Sequence, residues 1–394
     1  MSERFEGNFT QQEPISEDAI AAALAVLRSG RLHRYNTAPN EPGEVALLEQ
    51  EFAAFTGAKY CLAVASGGYA LGCALRALGV APDEPVLTNA FTLAPVPGAI
   101  AALGARPVFV ESTENLTIDL ADLAAKAKKT GARVLMLSHM RGHLCDMDAL
   151  MEIARAHDLR VIEDCAHTMG AEWASVPSGR HGVIGCYSTQ TYKHINSGEG
   201  GLIVTDDAEL AARMILLSGS YMMYPRHLAA PASEVFEALK YDTPNVSGRM
   251  DNLRAAILRP QLAALPEQVA RWNVLYRAME EGLTGAPGVA LSERPQAEQY
   301  VGSSFQFRLP GCDGAQMLDF VARCGARGVE LKWFGAAEPA GFTSRHDSWR
   351  YAQAQNMPKT DAVLATLLDL RLPLTFSAAD VAQIARIIRD ELTR

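Results

Sequence analysis

Seven short apolar runs rich in β-branched residues recur over the first half of the chain, at 60–65, 85–92, 106–111, 133–139, 160–164, 183–188 and 201–206. Stretches of helical periodicity separate most of them. Alternation of this kind predicts an α/β fold whose mostly parallel, seven-stranded sheet is covered on both faces. Open α/β sheets place their functional residues at the carboxyl ends of the strands. Ser66, His139, Asp164 and Ser188 all fall at such ends. At 394 residues the chain exceeds what one core fills, so a second unit is expected. The punctuation suggests an N-terminal arm at 1–15, loosely held, a large domain at 16–265 and a smaller C-terminal α/β domain at 266–394. Ser16, followed by Glu17 and Asp18, reads as a helix N-cap, and Gly30 and Gly57 as helix stops.

The bulk properties exclude several classes. A net charge of −9 argues against a protein that tracks nucleic-acid phosphates. The cysteines Cys61, Cys73, Cys145, Cys165, Cys186, Cys312 and Cys324 are odd in number and form no C-x-x-C pair. That usage predicts a reducing compartment, with no disulfide framework and no metal site. The first residues lack the basic and apolar regions of a signal peptide. The most apolar run, 93–110, is interrupted by Pro95, Pro97, Gly98, Gly104 and Pro107 and cannot span a bilayer. A cytoplasmic protein with no membrane partner is the expectation.

The densest chemistry lies between Val161 and Asp206. V-I-E-D-C-A-H-T-M-G (161–170) ends an apolar run in two carboxylates. S-T-Q-T-Y-K-H-I-N-S-G-E-G-G (188–201) brings Lys193 and a glycine-rich turn into the next apolar run. On a regular strand Glu163 and Asp164 point to opposite faces, so one of them alone can reach a given site. Upstream, Ser66-Gly67-Gly68 joins a strand to a helix. The unpaired amides and dipole of a helix start form a ready anion site.

These motifs resemble the DegT/DnrJ/EryC1/StrS family of sugar aminotransferases, most sharply over 160–206 and more loosely over nearly the whole chain. The resemblance implies the fold type I architecture of pyridoxal 5'-phosphate (PLP) transferases. It implies PLP held as a Schiff base by Lys193, because only a lysine amine can hold the aldehyde this way. Asp164 is the acid that keeps the pyridine nitrogen protonated. Ser66, Gly67, Gly68 and Ser188 hold the phosphate, with Gly68 where the family usually has threonine, and His167 lies beside the ring. The aligned stacking position is Leu93, with Phe91 two residues before it. The segment 243–262 resembles one whose Asn and Arg reach the neighbouring subunit's cofactor. Arg249 matches it, Ser247 stands at the usual Asn position, and Asn245 is the substitute. A homodimer with shared sites follows.

The implied activity moves an amino group from glutamate or glutamine to a keto-sugar or sugar-like ketone. Arg141, in H-M-R-G-H (139–143), suits bidentate binding of a carboxylate or phosphate, or else a structural ion pair. With His139, Arg34, His227 and Lys332 it predicts a negatively charged acceptor. L-K-W-F-G (331–335) and M-P-K-T-D (357–361) look closer to octulosonate-type enzymes, which favours a sugar carboxylate over a nucleotide diphosphate. Two alternatives compete. A related dehydratase would carry histidine in place of the lysine, and His194 is adjacent. A non-catalytic sensor would have lost Lys193 or Asp164.

Overall fold

Strand alternation is carried through to the two faces of a central sheet in the computed structural model, which describes residues 3–393. Seven strands form it: β1 (Tyr60–Val64), β2 (Pro85–Asn89), β3 (Arg106–Val110), β4 (Val134–Ser138), β5 (Arg160–Asp164), β6 (Ile184–Ser188) and β7 (Gly201–Thr205). Their spatial order is β1-β7-β6-β5-β4-β2-β3. All neighbours are parallel except β7, which runs antiparallel to both β1 and β6. Successive residues feed different cores. Val161, Leu202 and Val204 join one apolar cluster, whereas Ile162 and Ile203 join the cluster on the opposite face. The sheet is thus buried on both sides, as near-continuous apolar strands require.

The helix Glu17–Ser29 starts on Ser16, whose hydroxyl accepts from the Ala19 amide, and stops at Gly30 in the left-handed conformation. The helix Glu44–Thr56 stops at Gly57 in the same way. The reversal at β7 comes from the loop 189–200, which brings Gly201 opposite Ser188. Glycine at 201 is a packing requirement. A Cβ there would stand 2.5 Å from the Ser66 carbonyl oxygen and 2.9 Å from the Gly67 nitrogen.

A second sheet has four short antiparallel strands, in the order Ala290–Leu291, Ser304–Arg308, Leu367–Arg371 and Lys332–Trp333. The helix Asn252–Leu283 serves both halves. Ala255, Leu258, Leu262, Leu265 and Trp272 belong to the core of the large sheet, and Leu275, Tyr276, Met279 and Leu283 to that of the small one. The apolar environment therefore changes within one continuous helix.

The N-terminal arm is docked where a loose segment was expected. Phe5 and Phe9 are buried in the small core. Each meets Phe376 edge to face, at ring separations of 5.0 and 5.1 Å. Aromatic burial of this kind outweighs the entropy of tethering a short arm. Phe9→Ala should lower the stability of the small core by about 3 kcal/mol. The measurement is the urea unfolding midpoint, which a loosely tethered arm would leave unmoved.

Candidate active site

Strand β5 ends with two carboxylates that the backbone sends in opposite directions. Glu163 is fully buried beneath the sheet. It accepts from the amides of Gly179 (2.9 Å), His181 (2.8 Å) and Gly182 (2.7 Å) and lies 3.0 Å from His139 Nε2. Asp164 faces a cavity of about 440 Å³. The Ser138 hydroxyl donates to its Oδ2 (3.1 Å) and the Ala166 amide to its Oδ1 (3.2 Å). Thr92 Oγ1 donates in turn to Ser138 Oγ at 2.8 Å. Burial raises the Asp164 carboxyl above its ordinary pKa. The Lys193 charge, the Ala166 amide and the Ser138 hydroxyl pull it back.

Lys193 enters the same cavity from the loop between β6 and β7. Its Nζ lies 3.2 Å from His167 Nε2. Burial lowers its pKa to about 8, against a pull upward from Asp164 and a further push downward from Arg141 and Arg371. His167 is held well below its ordinary range by burial first and then by Lys193. A neutral imidazole can therefore accept a hydrogen bond from the lysine. His194, the next residue, does not line the cavity. Its Nε2 lies 3.1 Å from Ser303 Oγ, and its ring meets Trp272 edge to face.

The far wall is the β1–helix joint. Ser66 caps the helix Gly67–Ala77, its hydroxyl accepting from the Tyr69 amide at 3.1 Å. Ser66, Gly67, Gly68 and Ser188 line the cavity together. A Cβ on Gly67 would come within 2.8 Å of the Ser188 Cβ, so only glycine lets the turn approach β6. The first amides of the helix have no intrahelical acceptor and face an anion site. Leu93 lines the cavity. Phe91 is buried behind it against Phe334, at a ring separation of 5.1 Å.

Several basic residues expected at the cleft are claimed elsewhere. Arg34 forms a two-pronged pair with Glu49 (2.9 Å to each oxygen), and His227 Nδ1 is 3.0 Å from the same carboxylate. Burial alone would raise Glu49, but Arg34 and His227 outweigh it and hold the carboxyl near about 2. His139 is likewise bound to Glu163. A buried carboxylate needs such partners, and it takes these side chains out of the cavity. Arg141 does line the cavity, from a left-handed backbone conformation (φ 55°), with its Nη2 3.2 Å from Asp369 Oδ2. Lys332 is 3.9 Å from that same oxygen and does not line the cavity.

The 245–249 segment packs on the outer side of the β1 joint. The Ala65 amide donates to the Gly248 carbonyl at 2.7 Å, and Arg249 Nη1 donates to the Gly219 carbonyl at 2.8 Å. Asn245 is exposed, and neither Asn245 nor Arg249 lines the cavity within this chain. Tyr192, Phe342 and Arg371 do line it, although no sequence pattern singled them out.

A lysine, a strand-end carboxylate and a helix-start anion turn, converging on a mostly parallel α/β sheet, fit the fold type I class of PLP-dependent transferases. The chain belongs to the DegT/DnrJ/EryC1/StrS aminotransferase family, whose profile matches residues 13–389. It is 34% identical over 283 residues to dTDP-3-amino-3,4,6-trideoxy-alpha-D-glucose transaminase of Streptomyces venezuelae, covering 71% of this chain and 69% of that one. GDP-perosamine synthase of Caulobacter vibrioides is 35% identical over 57% of each chain. Among solved structures, 3-amino-5-hydroxybenzoic acid synthase superposes with a TM-score of 0.84 at 26% identity, covering 98% of this chain and 99% of that chain. DesV from S. venezuelae gives 0.79 at 28% identity, covering 95% and 94%.

Membership makes the protein an aminotransferase and implies PLP as its cofactor. The residues present fit that group. The cavity has an anion turn that a Cβ at 67 would close, a buried carboxylate for a ring nitrogen, and a buried amine of lowered pKa. If Lys193 is the capturing amine, the rate at which apoenzyme condenses with added pyridoxal phosphate should climb through pH 8 and level off above it. Asp164→Asn removes the charge that favours the ammonium, so the midpoint should move lower. Stopped-flow absorbance reads both.

Proposed function

We propose that this protein transfers an amino group from an amino-acid donor, glutamate or glutamine, to a keto-sugar or sugar-like ketone that carries a negative charge. The observation that carries this reading is the convergence of Lys193, Asp164 and the Ser66–Gly68 turn on one cavity. The sugar comes from the relatives, since the S. venezuelae and C. vibrioides proteins are named for amino-sugar synthesis. The acceptor's charge is inferred from Arg141 in the cavity wall and from Lys332 just behind it.

When bound, pyridoxal phosphate supplies an aldehyde that condenses with amines and a pyridinium ring that delocalises the electrons of a broken C–H bond. The chain's own groups do the rest. The Gly67 and Gly68 amides, with the hydroxyls of Ser66 and Ser188, bind the phosphate. Asp164, oriented by Ser138 and Ala166, would hold the ring-nitrogen proton through a charge-assisted hydrogen bond. Lys193 is the amine that would hold the aldehyde. Its buried amine, whose pKa is lowered to about 8, would be the base placed to move a proton at the substrate carbon. Neutral His167 orients the lysine. The dehydratase alternative loses support because Lys193 lines the cavity and His194, bonded to Ser303 behind the wall, does not.

We also propose a homodimer whose sites are completed by Asn245 and Arg249 of the opposite subunit. Their place on the outer face of the joint, off the cavity of their own chain, supports this reading. Lys193→Ala should abolish turnover while cofactor phosphate binding persists. Asp164→Asn should cut kcat more than tenfold, whereas Asp164→Glu, which keeps the charge, should cost less. Single-turnover spectra with L-glutamate and L-glutamine, followed by a panel of keto-sugars, check the reaction. Unimpaired kcat in the asparagine variant would remove Asp164 from the ring nitrogen.

The shared site has its own test. Arg249→Ala and Lys193→Ala proteins, each inactive alone, should regain about a quarter of wild-type activity after statistical subunit exchange, because each heterodimer keeps one intact site. No recovery after demonstrated exchange would mean that each chain builds its site alone.

A further inference from the structure

Beneath the sheet, Glu163 gathers more partners than a carboxylate can bond. Its Oε1 accepts from the His181 and Gly182 amides, and its Oε2 from the Gly179 amide. His139 Nε2 is 3.0 Å from Oε2, and His181 Nδ1 is 3.6 Å from the same oxygen. A carboxylate offers about four lone-pair sites. The amides and His139 fill them, and 3.6 Å is too long for a hydrogen bond.

His181 is the side chain left over. It is 8% exposed, and both its ring nitrogens are buried with no hydrogen-bond partner among the described residues. Buried imidazoles ordinarily satisfy these atoms. Cys165 lies close by as a free thiol, fully buried in the same apolar cluster as Val161. Its Sγ accepts from Ser178 Oγ at 3.3 Å and is 3.7 Å from the Glu163 carbonyl oxygen. The ligand atoms of His139, Glu163 and Cys165 lie within 4.8 Å of one another.

Two imidazoles, a thiol and a carboxylate are the donor types that zinc takes. Tetrahedral zinc, with nitrogen and oxygen at about 2.1 Å, sets such atoms about 3.4 Å apart. The His181 contact already has that spacing, and the His139 contact has only to lengthen slightly. Charge balances as well. A thiolate and a carboxylate neutralise a divalent ion, so the buried site would carry no net charge. The ligands come from four separate places in the chain, which is why cysteine spacing gave no sign of them.

We propose that His139, Glu163, Cys165 and His181 bind a zinc ion on the face of β5 turned away from the cofactor cavity. On binding, the Cys165 sulfur gives its proton to solvent and bonds the metal, and both imidazoles bind as neutral rings. Four protein ligands leave no open position, so the ion is structural rather than catalytic. It pins the ends of β4 and β5 to the turn before β6, and so fixes the strand end that aims Asp164. Residues 180–183 of that turn are half-buried and give the ion its way in.

The test uses the PLP-loaded protein, freed of metal by dialysis against a chelator, with zinc and cobalt(II) as probes. Wild type should retain one zinc per chain through gel filtration. Cobalt should give a sulfur-to-metal charge-transfer band together with the visible bands of a tetrahedral site. Cys165→Ala should abolish the charge-transfer band. Both Cys165→Ala and His181→Phe should weaken zinc more than about 100-fold, beyond what loss of an outer partner costs. Cys324→Ala, at a buried thiol of the small core, should change neither. Zinc should raise the thermal midpoint of wild type and leave both ligand variants unmoved. Circular dichroism and the cofactor spectrum control for misfolding. If Cys165→Ala does not fold, His181→Phe, on the half-buried turn, carries the test. Folded wild type that holds no stoichiometric zinc overturns the proposal. So does a charge-transfer band that survives in folded Cys165→Ala, or a zinc affinity that His181→Phe leaves unchanged.

Discussion

The opposed carboxylates at the end of β5 set the geometry on which the rest of the site depends. Three amides and His139 lock Glu163 below the sheet, which fixes the last residues of the strand. With that end immobile, the next side chain has one direction open to it, and Asp164 points into the cavity. Charge-assisted hydrogen bonds of this kind are each worth about 1.5–3 kcal/mol. The carboxylate buried beneath the sheet is thus the one that aims the carboxylate in the cavity.

Much of this was legible in the sequence, and the reason is periodicity. Alternation along V-I-E-D already requires Glu163 and Asp164 to face apart, and the repeated apolar runs give seven strands buried on both faces. Strand direction leaves no such trace: L-I-V-T pairs as well antiparallel as parallel, so only the folded chain shows that β7 is reversed. The basic residues were harder still. Nothing local tells that Glu49, inside a helix, would claim Arg34 and His227, or that Glu163 would claim His139. Charge marks what a residue can bind, whereas burial and distant partners decide what it does bind.

Arg371 illustrates the converse. L-L-D-L-R is an apolar strand whose two charges, Asp369 and Arg371, share one face. The setting of Arg371 depends on Tyr192, which is far away in the chain and adjacent in space. Contacts of that separation have no short-range signature.

The helix Asn252–Leu283, buried in one core by Leu258 and Leu262 and in the other by Met279 and Leu283, ties the two sheets into a common frame. The large sheet supplies Asp164, Lys193 and the anion turn, and the small sheet supplies Asp369 and Arg371. The cavity walls are therefore carried on separate pieces of backbone at a distance the helix sets. Substitutions on the small sheet can reshape the wall a ligand meets while leaving Asp164 and the anion turn in place. A family built this way can diversify in substrate while its chemistry stays constant.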